Sequence, residues 1–117
     1  MEKETKWGQT VVHDEVLAVI AARAALSVPG VASTNPRGWG DNLNSLMRHD
    51  ASPLGVRIIS LPEGHYGVEI HLALVFGTRF ARVGRQVGQA VNNALQEAEG
   101  LYPDKIMVHV DGVRTGE

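Results

Sequence analysis

Residues 56–76, VRIISLPEGHYGVEIHLALVF, decide the fold class. Two runs rich in Val, Ile and Leu flank Pro62-Glu63-Gly64-His65, a cluster of turn formers. The stretch therefore reads as a hairpin of strands at 56–61 and 67–76. Side chains alternate along the second strand. Val68, Ile70, Leu72, Leu74 and Phe76 point one way, and Glu69, His71, Ala73 and Val75 the other. A face that apolar must be covered, and the flanking sequence supplies two helices to cover it.

Upstream, residues 8–12 (GQTVV) read as a short strand, and His13-Asp14 offers an N-cap. Residues 15–26 (EVLAVIAARAAL) are strong helix formers, with Glu15 at the positive end of the helix dipole. Val28-Pro29-Gly30 stops that helix, and 31–34 read as a short extended piece. Downstream, Gly77 breaks the hairpin strand and Thr78 is expected to cap a second helix to about Ala98, closed by Gly100. Residues 106–110 (IMVHV) form a last strand, ended by Asp111-Gly112, with Ile106, Val108 and Val110 expected to join the inner face. The expected fold is α+β: two main helices on one face of a mixed or antiparallel sheet of three to five strands, in the order β-α-(β)-β-β-α-β. Residues 1–117 form one domain, with a frayed start at 1–7. An irregular loop spans 35–53, in which Asp41 caps a candidate short helix bearing Leu43, Leu46 and Met47, and Trp39 tacks the loop down.

The helices differ in their faces. On the second, Phe80, Val83, Val87, Val91, Ala94 and Leu95 share an arc opposite Arg82, Arg85, Gln86, Gln89, Asn93 and Gln96. Gly84 and Gly88 each cost about 1 kcal/mol relative to Ala in a helix interior, which predicts a close backbone approach there. The first helix offers a flat Ala18, Ala21, Ala22, Ala25 surface as the neighbour. Apart from Glu15 and Arg23 that helix is apolar nearly all round, so it is either deeply buried or covered by another copy. Val16, Val19 and Ile20, with Val75 and Met107 on the outer sheet face, are the expected self-association residues.

Composition narrows the function. The 117 residues carry 11 Lys+Arg and 13 Asp+Glu, a net charge of -2, unlike a general nucleic-acid binder. There is no Cys, which removes disulfides, thiolate nucleophiles and Cys-based metal sites. No secretory signal opens the chain, and its longest apolar run is too short to span a bilayer. A cytoplasmic protein is expected.

Three constellations could carry chemistry. His71 and His109, with Glu69 and Asp111 on the same face, are candidate ligands for a divalent metal if their strands are neighbours. The ordinary account of such residues is cross-strand polar pairing. Arg79, Arg82 and Arg85 at the start of the second helix oppose its dipole, so an anion or acidic partner would be welcome there. The alternative is a solvated helix face. Gly30-Val31-Ala32 and Gly38-Trp39-Gly40 lack the pattern of a phosphate loop. No catalytic triad motif or cofactor-binding residue is present, the outer sheet face has none of the aromatics of an RNA reader apart from Tyr66 at a strand edge, and a KH-like nucleic-acid binder would need a Gly-x-x-Gly between adjacent helices.

Residues 8–31 (GQTVVHDEVLAVIAARAALSVPGV) resemble the opening of the alkaline-shock, or envelope-stress-response, protein family of Gram-positive bacteria. The likeness continues through residues 55–113: Gly-Val on a strand, a hairpin, Phe76-Gly77, a helix with Val83, Gln86 and Val91, Gly100-Leu101, and a final strand ending Gly112-Val113. It implies a non-enzymatic scaffold in envelope stress or homeostasis that forms homo-oligomers, binds no cofactor, and is held peripherally at the membrane by an integral-membrane partner. Residues 35–53 fall outside the resemblance.

Overall fold

The computed structural model describes residues 2–34, 54–99 and 103–115. Strands β1 (Glu2–Thr5) and β2 (Gly8–Val11) form an antiparallel hairpin of their own. Helix α1 (Asp14–Leu26), strand β3 (Val31–Ser33), strand β4 (Val56–Ser60), a short 3-10 turn (Pro62–Gly64), strand β5 (Tyr66–Val75), helix α2 (Phe80–Glu99) and strand β6 (Lys105–Arg114) follow. The fold is α+β, with two helices on one face of a mixed sheet, as the hairpin implied.

Strand β5 is the axis of the sheet. β6 runs parallel to it from Gly67↔Lys105 to Val75↔Arg114 and fills one edge. The other edge is shared, antiparallel, by β4 along Tyr66 to Ile70 and by β3 at Ala73 and Leu74. Gly55 sits at the joint between β3 and β4. Its φ is +73, and a Cβ there would lie 1.5 Å from the Thr34 carbonyl oxygen. Only glycine lets the end of β3 and the start of β4 meet on one edge of β5. The joint is completed by the His71 amide, which donates to the Gly55 carbonyl at 2.8 Å.

Leu17, Ala18, Ala21, Ala22 and Ala25 of α1 and Val83, Val87, Val91 and Leu95 of α2 join Val56, Val68, Ile70, Leu72 and Leu74 in one buried cluster. The alanines let α1 lie flat beside α2, and the i, i+4 valines of α2 meet them. Asp14 and Glu15 in the first turn of α1 and Arg23 in its last complement the helix dipole.

Several expectations fail for identifiable reasons. The start of the chain pairs rather than frays, because Gly8 at φ +137 closes a tight turn after Lys6-Trp7. Phe76 lies beyond the end of β5 and is 74% exposed, and Phe80 on the first turn of α2 is also exposed. His13 occupies the N-cap of α1 without a side-chain hydrogen bond. The Thr78 hydroxyl donates back to the Val75 carbonyl at 2.8 Å instead of capping α2. Gly84 and Gly88 do not mark a close approach, since a Cβ at either meets nothing within 4 Å. β6 does not stop at Asp111-Gly112: the register steps from Leu72↔Val110 to Ala73↔Gly112, so Asp111 is an extra residue bulged into a continuous strand. Val110 is exposed, because β6 is an edge strand the helices only partly cover. Trp39, the proposed short helix at 41–47, Gly100 and Leu101 lie outside the described residues.

Candidate functional site

The outer face of the sheet gathers charge where the inner face gathers valine and leucine. Register places Arg57, Glu69 and Met107 in one row across β4, β5 and β6, and His71 beside His109 in the next. The two imidazoles stack, with ring centroids 4.5 Å apart and planes 11° from parallel. Parallel pairing with no offset between His71 and His109 makes this contact.

His71 lies between two carboxylates. Its Nδ1 is 2.6 Å from Asp111 Oδ2, and its Nε2 is 3.3 Å from Glu69 Oε1. Only the imidazolium can donate to both at once; the neutral ring donates to one. Arg57 Nη2 approaches the same Glu69 carboxylate at 3.3 Å. His109 Nε2 lies 3.7 Å from Glu69 Oε2, too far for a hydrogen bond. That nitrogen is shielded from water and has no hydrogen-bond partner among the described residues. Burial pushes the Glu69 carboxyl up, but the hydrogen bond with His71 and the charges of Arg57, His71 and His109 outweigh it and hold the group below the usual carboxylate value.

Strand adjacency thus brings together the four residues singled out from the sequence. Two details go beyond the sequence reading. Arg57, expected on this outer face with Ile59 and Leu61, is brought onto Glu69 by the hairpin register, which the turn length at 62–65 could have given. Asp111 reaches His71 from a bulge, for which the following Gly112 was the signal. Ala73, expected on this face, is fully buried, while Val75 and Met107 are half-buried.

The arginines divide. Arg79 and Arg82 line a shallow cleft with Ser27, Pro29, Thr78 and Gln86, where the end of α1 meets the start of α2. Arg85 is exposed and is not part of that lining. Of the α1 residues, Val16 is 48% and Val19 42% exposed, while Ile20 is half-buried against the core.

A family model described as the ASP23 family, of cell envelope-related function, matches residues 2–115. The chain belongs to that family. This is the alkaline-shock family that residues 8–31 and 55–113 resembled. The chain is similar to the uncharacterized protein YloU of Bacillus subtilis (strain 168), at 28% identity over 97% of this chain and 95% of that protein. It is also similar to the uncharacterized protein Spy1535 of Streptococcus pyogenes serotype M6, at 24% identity over 91% and 79% respectively. No solved structure matches the chain. Membership carries a cell envelope-related function, and no described helix is long and apolar enough to cross a membrane.

Proposed function

We propose that the protein is a non-enzymatic interaction module of the cell envelope, which self-associates through the outer side of α1 and docks on a membrane-associated partner. The supporting observation is the set of side chains α1 turns away from its own core. Val16, Val19 and Leu26 are 48%, 42% and 50% exposed, on a helix whose opposite side is buried. Glu15, Val19 and Arg23 follow one another at i, i+4 spacing, with Val19 midway between the two charges. Glu15 and Arg23 lie about 12 Å apart along the axis, at 1.5 Å rise per residue. Two copies of α1 crossing antiparallel about Val19 set each Glu15 against the other copy's Arg23, and each Leu26 near the other's Val12. Such a contact is self-complementary, as a two-fold interface requires.

Charge exchange tests this directly. Glu15→Arg is expected to weaken self-association in sedimentation velocity, and Glu15→Arg combined with Arg23→Glu to restore it. Equal association by all three chains, or a monomer at high concentration, contradicts the reading.

The cleft carrying Arg79 and Arg82 favours a second reading, as a small anion-binding regulator. α2 has no acidic residue in its first turn to satisfy the helix terminus. Millimolar phosphate is then expected to raise the melting temperature and Arg82→Ala to abolish the shift. No shift with any anion removes this reading.

A further inference from the structure

We propose that Glu69, His71 and His109 form a binding site for a first-row divalent cation, with zinc the best fit, and that Asp111 positions His71 for it. The site is independent of the α1 surface and lies on the opposite layer of the fold. Each of the three residues offers a ligand atom, and these atoms all lie within 4.8 Å of one another. Ligand atoms around a tetrahedral zinc are about 3.4 Å apart, given bonds of about 2.1 Å. The His109 side chain is 42% exposed, so a small rotation closes that difference without disturbing the core.

Three details separate this cluster from ordinary cross-strand pairing. The first is the contact at His71 Nδ1. A ring that donates Nδ1–H to Asp111 at 2.6 Å turns its Nε2 lone pair toward the Glu69 carboxylate, where a shared cation would sit, and a carboxylate behind a histidine is the usual support of a metal-bound imidazole. The second is His109 Nε2, a water-shielded nitrogen with no hydrogen-bond partner among the described residues, 3.7 Å from the Glu69 carboxylate. A cation between them satisfies both. The third is the bulge. The register step in β6 falls at Asp111 itself, so the backbone irregularity coincides with the carboxylate that meets His71. Two imidazoles and one carboxylate suit zinc and its neighbours rather than calcium or magnesium, which prefer all-oxygen shells. Arg57 shares the Glu69 carboxylate from the β4 side. The metal therefore competes with a guanidinium, which points to a reversible site rather than one the fold depends on.

The full chain, freed of metal, is titrated with Zn2+ against a chromophoric chelator, and with Co2+ as a spectroscopic probe. One equivalent is expected to bind, and Co2+ to give the visible absorption of a four-coordinate ion. His71→Ala and His109→Ala are each expected to lose that absorption and at least about tenfold in affinity, and Asp111→Asn to weaken binding by about 10–100-fold. His13→Ala and His65→Ala leave it unchanged. Should a variant fail to fold by circular dichroism, the nitrogen resonances of His71 and His109 in the wild-type chain give the answer, since they shift on zinc addition. Unchanged affinity in the His71 and His109 variants, no binding by the wild type, or zinc-induced shifts at His13 and His65 alone would overturn the proposal.

Discussion

The two helices of this protein bury one side each and differ in the side they leave out. On α2, Val83, Val87, Val91 and Leu95 face the core, and Arg82, Arg85, Gln86, Gln89, Asn93 and Gln96 meet water. On α1, Leu17, Ala18, Ala21, Ala22 and Ala25 face the core, yet Val16, Val19 and Leu26 take the outward positions. Water satisfies the outer side of α2, whereas the outer side of α1 exposes apolar surface that water does not satisfy. An outward apolar side adds little to the stability of a lone copy, and for that reason the proposed self-association is placed on α1 rather than on α2.

Mutations should separate the sides in order of effect. Leu17→Ala removes a fully buried side chain on the inner side of α1 and is expected to cost about 2–5 kcal/mol in urea unfolding. A cost under about 1 kcal/mol would mean that α1 is not seated on the core as described. Val16→Lys with Val19→Lys should leave monomer stability within about 0.5 kcal/mol while weakening self-association at least tenfold, about 1.4 kcal/mol. On α2, Gly84→Ala and Gly88→Ala are each expected to stabilise the chain by about 1 kcal/mol, because a Cβ there meets nothing. Destabilisation would show that another chain approaches that side of α2. Arg85→Ala and Gln89→Ala should change neither association nor stability beyond about 0.5 kcal/mol.

The hairpin at 56–76, both helices and the inward set Val68, Ile70, Leu72 and Leu74 were legible because period-2 and period-3.6 patterns state directly which side is buried. Less legible was anything set by pairing between distant strands. That His71 faces His109 with no offset depends on the parallel register of β5 and β6, which no local pattern encodes. Asp111-Gly112 reads as a strand end, and becomes a bulge only because β5 continues alongside it. Gly55 looked like an ordinary strand-start glycine. Its necessity comes from Thr34, 21 positions earlier, arriving at the same edge of β5. Gly84 and Gly88 misled for the opposite reason: a helix glycine is a signal of close approach only when something approaches.

Sedimentation velocity over a concentration series, comparing the wild-type chain with Glu15→Arg and with the Glu15→Arg, Arg23→Glu exchange, measures the proposed α1 contact most directly. The account predicts concentration-dependent association in the wild type, its loss in the single variant and its recovery in the exchange. Association that is indifferent to both charges, or a wild-type monomer throughout, would contradict it.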